Sequence, residues 1–146
     1  MCIRDRYVKG AFFVDPEIKK ANDVDTAVIN MTLKNGVLAT INNSRKAVYG
    51  YDQRIEVLGS KGILKVPNRL LHNVEKGSKD GFTLSSPKNF FIDRYQESYK
   101  KEMMDFIKSI RGKKVDHANT DDGLHALKAG LAANASLKNN SPTMVK

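Results

Sequence analysis

The order of local patterns in this 146-residue chain predicts an α+β fold with an open, predominantly antiparallel sheet and helices on one face. Apolar residues alternate with period two through the first part of the chain, and they recur every three or four residues after position 90. Strands that come first, with no helical pattern between them, exclude a parallel doubly wound sheet.

The clearest strand pattern begins at Asp25. Alternate positions from there carry apolar side chains that share one face: Ala27, Ile29, Met31 and Leu33. The following Asn35-Gly36 readily takes the positive φ angles of a tight turn. We therefore expect residues 37–44 to return antiparallel to this strand.

Three further strands are predicted around this hairpin. An earlier strand covers Val8–Val14 and is ended by Asp15-Pro16. A third strand covers Tyr51–Leu58, and the turn at residues 59–62 leads into Ile63–Val66. Residues 68–89 contain glycine, proline, lysine and serine with one short apolar patch, which predicts an irregular excursion with one weak strand.

Two helices are predicted in the remainder of the chain. The first carries an apolar stripe at helical spacing: Phe91, Tyr95, Tyr99, Met103, Phe106 and Ile110. Arg111-Gly112 is a plausible end for it. The second begins near Thr120-Asp121-Asp122, whose oxygens suit a helix N-terminus, and ends at residues 139–142. Its expected inner stripe consists of leucines: Leu124, Leu127 and Leu131.

Composition and charge restrict the class of protein. The chain is 40% hydrophobic without any apolar run long enough to span a membrane, and a single cysteine, Cys2, excludes an intramolecular disulfide framework. We therefore expect a cytoplasmic globular protein. The formal charge of +9 raises nucleic acid as a partner. The basic residues are dispersed among acidic ones, however, which favours a solvated surface over a nucleic-acid site.

Direct motif searches exclude several chemistries. The sequence has neither a G-x-G-x-x-G dinucleotide loop nor a phosphate-binding P-loop, and it has no cysteine pair. The three histidines, His72, His117 and His125, match no common metal-ligand spacing. Asp121 and Asp122 suit helix capping better than acid–base catalysis.

One segment is chemically dense. Residues 42–54 contain two adjacent asparagines, three cations and two tyrosines that flank a glycine. These tyrosines fit the ordinary aromatics of a sheet. The same asparagine, arginine and tyrosine side chains would also line a pocket for a polyhydroxylated ligand, whose hydroxyl groups need both donors and acceptors. Composition does not decide between the two interpretations.

A family resemblance gives further information about this segment. The sequence NSRKAVYGYDQR at residues 43–54, together with DVDTA at 23–27, GSKG at 59–62 and Arg94-Tyr95-x-x-x-Tyr99, resembles the C-terminal half of inositol 2-dehydrogenases. These enzymes belong to the glucose–fructose oxidoreductase/inositol dehydrogenase (Gfo/Idh/MocA) family. The resemblance runs from about Tyr7 to the C-terminus, and the Tyr-Gly-Tyr-Asp block is its most specific part.

The resemblance implies a role for each part of the chain. Relatives bind NAD in an N-terminal Rossmann domain, which is absent here, and their Lys/Asp/His catalytic set also lies upstream. Residues 7–146 would then supply part of a polyol pocket and, through the open sheet face, a homo-oligomer interface. The implied substrate contacts are Tyr51 first, then Tyr49, Asn43 and Arg45. Two weaker candidates lie at the start of the long helix: Phe91, and Arg94, for which a structural contact is preferred.

Several alternatives stay open at this point. Residues 1–6 do not continue the resemblance, and one interpretation is a foreign head on a truncated reading frame; a genuine stand-alone half-protein is the other. The substrate is either inositol or a related sugar or polyol, and the residues that choose between NAD and NADP lie outside the chain. A basic module that binds protein or nucleic acid without catalysis is the alternative from a different class.

Overall fold

The computed structural model describes residues 3–145, which form two compact units. We call residues 3–46 with 118–145 the sheet unit, and residues 47–117 the inserted unit. In chain order the elements are β1 (Ile3–Ala11), α1 (Glu17–Lys20), β2 (Thr26–Leu33), β3 (Leu38–Ser44), β4 (Ile55–Gly59), β5 (Gly62–Val66), β6 (Lys76–Ser78), β7 (Gly81–Thr83), α2 (Phe91–Ile110), α3 (Thr120–Asn139) and β8 (Thr143–Met144). All pairs between these strands are antiparallel, and the α+β prediction is confirmed.

The sheet unit contains four strands in the order β3-β2-β1-β8. The hairpin between β2 and β3 forms as the sequence predicts, with Gly36 at a φ of +84° in its turn. Val8, Leu33 and Ala132 are the buried apolar residues among those described, and all three lie in this unit. The sheet unit therefore holds the apolar core of the described chain.

The first strand differs from its predicted range. It begins at Ile3 and ends at Ala11, before the predicted end at Val14. The reason is Asp25, whose carboxylate accepts main-chain N–H groups from Phe13, Val14 and Asp15 at 2.8–2.9 Å. Those amides are turned toward one side chain and cannot continue a strand ladder.

Helix α3 begins where the sequence predicts, but its buried face was predicted wrongly. The three leucines expected inside are exposed, and the buried residues are Ala132 and Ser136. The Ser136 hydroxyl accepts a hydrogen bond from the Val8 N–H at 3.1 Å, so helix and strand lie very close there. Small side chains permit that approach, and leucine does not.

The inserted unit contains two hairpins, β4–β5 and β6–β7, and the helix α2. β4 begins at Ile55, four residues later than predicted, because the Gln53 N–H donates to the Asn68 side chain at 2.8 Å instead of joining a ladder. The excursion at 68–89 contains two short strands, where the sequence predicted one. Helix α2 ends as predicted, with Gly112 at a φ of +72°.

Helix α2 buries polar residues and exposes apolar ones. Its buried residues are Arg94 and Asp105, whereas Met103 and Ile110 of the apolar stripe are 59% and 69% exposed. Asp105 accepts from Lys101 and from Lys108, the latter at 2.8 Å. None of the helices within residues 3–145 combines the length and apolarity that crossing a bilayer requires.

Candidate functional site

The chemically dense segment forms a tight loop, which we call the tyrosine loop (residues 47–54). Gly50 adopts a φ of +132° and its N–H donates to the Ala47 carbonyl at 3.3 Å. The Tyr51 N–H donates to the Lys88 carbonyl at 3.1 Å, which holds the loop against the segment before α2. A side chain at position 50 would lie 3.3 Å from Pro87, so glycine is required by conformation and by space.

Asp52 holds this loop together from inside. Its Oδ1 accepts from Arg54 Nε and from Asn68 Nδ2, each at 2.8 Å, and its Oδ2 accepts from Arg54 Nη2 at 2.9 Å. The Tyr49 hydroxyl also donates to Oδ2. Arg54 first, and then the Tyr49 hydroxyl, lower the pKa of Asp52 to about 2.

Tyr49 and Tyr51 occupy different surroundings within the loop. Tyr49 is half-exposed, and its hydrogen bond to Asp52 raises the pKa of its phenol. Tyr51 lies edge-on to Tyr95 of α2, with the ring centroids 5.8 Å apart and an angle of 86° between the planes. The Tyr95 hydroxyl raises the pKa of Tyr51 by hydrogen bonding.

Helix α2 contributes Tyr95, to which the sequence analysis assigned no contact, and Arg94. The Tyr95 hydroxyl donates to Gln53 Oε1, and the Tyr95 ring also stands 6.2 Å from that of Tyr99. Arg94 donates from Nη2 to the Gln53 carbonyl at 2.7 Å, which is a main-chain contact of the structural kind preferred for it. The spacing of Tyr95 and Tyr99 at i and i+4 was the one sequence signal for this part of the helix. It did not reveal that Tyr95 and Arg94 both contact Gln53.

A cleft of about 230 Å³ adjoins this cluster within the inserted unit. Polar groups at its rim come from Gln53, Arg69, Arg94 and Tyr95, and apolar side chains come from Ile55 and Val66. Arg69 is engaged with Glu97 through a 2.6 Å ion pair. The tyrosine loop and the start of α2 thus present phenols, amides and guanidinium groups together, a set able to hydrogen-bond a polyhydroxylated ligand.

The other predicted contacts lie elsewhere in the chain. Asn43 is on β3, paired with Ala27, and Arg45 follows that strand, with its N–H donating to the Asp25 carbonyl at 2.8 Å. Both belong to the sheet unit. Phe91 opens α2, and its ring centroid stands 4.5 Å from that of Phe90. The structure brings Tyr49 and Tyr51 into one loop, and Asn43 and Arg45 lie in the other unit.

Neither a metal site nor a dinucleotide site is built from these residues. Within residues 3–145, no three His, Cys, Asp or Glu side chains stand in a metal-holding arrangement. NAD binding of the Rossmann kind uses a parallel strand–helix–strand unit with a glycine-rich turn. The strands described here pair antiparallel, and the sequence has no such turn. The residues present therefore do not fit NAD.

Known proteins resemble the chain along almost its whole length. Residues 7–145 match the model of an oxidoreductase family, in its C-terminal alpha/beta domain. The chain is 43% identical over 136 residues to a myo-inositol 2-dehydrogenase of Thermotoga maritima, an alignment that covers 93% of the chain and 41% of that protein. It spans about two fifths of the length of the curated relatives it matches.

Solved structures show the same relation. A probable dehydrogenase from Thermotoga maritima superposes with a TM-score of 0.92 at 40% identity, over 98% of this chain and 43% of that one. A scyllo-inositol dehydrogenase from Lactobacillus casei, solved with bound NAD(H) and scyllo-inositol, gives 0.86 at 25% identity, over 99% and 42%. The chain thus belongs to the Gfo/Idh/MocA oxidoreductase family, and it corresponds to the C-terminal alpha/beta domain of that family.

Proposed function

We propose that this chain is the substrate-binding and oligomerisation domain of a cytoplasmic, NAD-dependent inositol 2-dehydrogenase, which converts myo-inositol to 2-keto-inositol. The observation that carries the proposal is the fixed tyrosine loop beside Tyr95, in a chain 43% identical to a myo-inositol 2-dehydrogenase. The residues described do not fit NAD, so the cofactor and the catalytic groups are supplied by a domain outside this chain. The 146 residues alone are then inactive.

Within the pocket, Tyr51 orients the polyol. Its ring is held by the edge-on contact with Tyr95, and its main chain is held by the bond to the Lys88 carbonyl. A phenol that is already positioned loses little freedom when a ring hydroxyl binds to it, which favours a single orientation of the substrate. Tyr49 of the same loop is proposed as an additional contact, and the substrate contacts of Asn43 and Arg45 stay predictions of the resemblance.

Oligomerisation would use the open face of the four-stranded sheet. Strand register places Val28 and Leu38 on one face with four polar residues, Asn30, Thr32, Thr40 and Asn42, and Leu38 is 78% exposed. We propose that the two exposed apolar side chains anchor an interface on this mixed polar and apolar face. Light scattering after Leu38→Glu tests this assignment: a shift toward monomer supports it, and an unchanged mass contradicts it.

The activity is best tested in a hybrid enzyme. Residues 7–145 would replace the matching segment of the Thermotoga maritima myo-inositol 2-dehydrogenase, and NADH formation would be followed with myo-inositol, scyllo-inositol and glucose. We expect turnover of an inositol by the hybrid and none by the 146-residue chain. Preference for glucose would identify a different polyol dehydrogenase, and turnover by the chain alone would contradict the assignment of catalysis to another domain.

Tyr51→Phe in the hybrid tests the role of that phenol. We expect the KM for myo-inositol to rise about three- to tenfold, the value of one hydrogen bond. Tyr7→Phe is the matched control, because Tyr7 is a phenol of the sheet unit that donates to Asn140. Unchanged KM and kcat in Tyr51→Phe, beside an unchanged control, would remove Tyr51 from the site.

A further inference from the structure

The direction of the hydrogen bond between Tyr49 and Asp52 is fixed by chemistry. A phenol has one proton, and an ionised carboxylate can only accept. Asp52 is ionised at neutral pH, since Arg54 and the Tyr49 hydroxyl lower its pKa to about 2. The proton of Tyr49 is therefore directed at Asp52, and the oxygen of the phenol is left with acceptor capacity only.

Asp52 cannot easily turn away to release that proton. Two parallel bonds from Arg54 and one from Asn68, all at 2.8–2.9 Å, hold the carboxylate in place, and its side chain is only 17% exposed. Tyr49 itself is 53% exposed, so its side chain stays within reach of a ligand. The loop thus combines a partly buried carboxylate, held by three hydrogen bonds besides that of Tyr49, with an accessible phenol whose proton is already used.

The phenol of Tyr95, beside the tyrosine loop, has a similar arrangement. The Tyr95 hydroxyl donates to Gln53 Oε1, which commits its proton to the protein as well. Its ring lies edge-on to that of the neighbouring Tyr51. The protons of Tyr49 and Tyr95 are thus both directed toward protein acceptors.

We propose that Asp52 is a positioning residue that fixes the Tyr49 phenol as a hydrogen-bond acceptor, so that the tyrosine loop recognises a polyol by the protons of its hydroxyl groups. The inference rests on the proposed function, because it takes the loop to be part of the polyol site. It deepens that function by assigning a polarity to the contact. A ligand oxygen that cannot donate is rejected at this position, even where it has the right size.

Deoxy and deoxyfluoro inositols show whether Tyr49 accepts a hydrogen bond from the substrate or donates one to it. Fluorine accepts a hydrogen bond weakly and cannot donate one. The ring position that contacts Tyr49 is found first, with a series of deoxyinositols in the hybrid enzyme. At that position, removal of the hydroxyl lowers kcat/KM in the hybrid with Tyr49 but not in the Tyr49→Phe variant. At that position we expect the fluoro analogue to be as poor as the deoxy analogue, each about three- to tenfold below myo-inositol. A fluoro analogue restored toward myo-inositol would overturn the proposal.

The variant Asp52→Asn tests the role of Asp52 through the ratio of the rates with the fluoro and deoxy analogues. A merely structural role of Asp52 would not change this ratio. The amide can donate to the Tyr49 oxygen, which frees the phenol proton to point outward. We expect the fluoro analogue to become better than the deoxy analogue in this variant, whatever the overall loss of rate. Asp80→Asn, in the exposed turn between β6 and β7, is the matched control and should keep the two analogues equal. A lack of separation in Asp52→Asn would contradict the role of Asp52.

The outcomes distinguish this inference from the proposed function. If the hybrid does not use an inositol, the proposed function fails, and if Tyr51→Phe changes nothing, the role of Tyr51 fails. If Tyr51→Phe raises KM and the fluoro analogue is accepted, only the assignment of Tyr49 as an acceptor fails.

A second measurement needs no turnover: tyrosine ¹³Cζ resonances of the 146-residue chain are followed against pH. The Tyr49 signal, identified by Tyr49→Phe, should titrate above an ordinary phenol and return toward it in Asp52→Asn. An ordinary titration in the unsubstituted chain would overturn the hydrogen bond.

Discussion

The hydroxyl of Ser136 joins helix α3 to the main chain of Val8 on β1. It accepts from the Val8 N–H at 3.1 Å and donates to the Ser141 carbonyl at 2.7 Å, and Ser136 is completely buried. Among residues 3–145, the partners of the edge strand β8 are Asp5 and Arg6, so Val8 lies beyond its end. One serine therefore satisfies a main-chain group that the sheet leaves unpaired.

Ser136→Ala should destabilise the chain by about 1–3 kcal/mol, because a buried N–H loses its only acceptor on that side. Urea denaturation followed by circular dichroism measures this change in the free energy of unfolding. Ser109→Ala, on the exposed face of α2, is a matched serine substitution within a helix and should change stability by less than about 0.5 kcal/mol. Equal effects of the two substitutions would contradict the role of Ser136.

Asn119→Ala should remove the N-terminal cap of α3. The Asn119 side chain accepts from the N–H groups of Asp121 and Asp122 at 2.8 and 3.1 Å, and the Asp122 carboxylate accepts in return from the Asn119 N–H at 2.9 Å. Loss of such a cap costs about 1 kcal/mol. Thermal denaturation should show a lower Tm for Asn119→Ala and recovery for Asn119→Asp, which restores an acceptor. A Tm that alanine leaves unchanged would show that the cap is dispensable.

Acid should destabilise the sheet unit through Asp25. Burial opposes the ionisation of this carboxyl, but the N–H groups of Asp15, Phe13 and Val14 outweigh it and lower its pKa to about 2. The unfolded value is about 4, so the stabilisation is complete above that pH and is lost as the pH falls toward 2. We expect Asp25→Asn to flatten the dependence of unfolding on pH between about 4 and 2. Asp23→Asn, an exposed neighbour, should leave the slope unchanged, and a slope unaltered in Asp25→Asn would contradict the prediction.

Gly50→Ala should distort the tyrosine loop. The added methyl group meets Pro87 at 3.3 Å, and the φ of +132° is one that alanine rarely adopts. We expect a loss of about 1 kcal/mol or more in stability together with a higher KM for the polyol in the hybrid. Gly130→Ala, in the exposed middle of α3 with nothing near the new methyl group, should instead stabilise by about 0.5–1 kcal/mol. A Gly50→Ala variant as stable as the parent would contradict the conformational argument.

Sequence alone predicted the elements whose signals are local. The β2–β3 hairpin follows from alternation and from Asn35-Gly36, and the start of α3 follows from oxygen-bearing side chains next to one another. Both depend on residues within a few positions. The end of β1 was missed because it is determined by Asp25, which lies more than ten residues further along the chain.

The buried face of α3 was missed for a different reason. Hydrophobicity ranks leucine as the inner residue, but the distance between helix and strand decides which side chain fits, and here Ala132 and Ser136 fit. The candidate site was predicted in part. Tyr49 and Tyr51 were named from the loop, whereas Tyr95 reaches its partner Gln53 across 42 residues of sequence, a separation that no local pattern encodes.

The route of the chain through the sheet unit has a consequence for biosynthesis. The Tyr7 hydroxyl donates to Asn140, 133 residues later, and β8 pairs with the opening strand of the same sheet. A ribosome therefore releases the first three strands long before α3 and β8 exist to cover them. The inserted unit is continuous in sequence, so its hairpins can form during that interval. Closure of the sheet joins residues from the two ends of the described chain, and we expect it to be slow because non-local contacts slow folding.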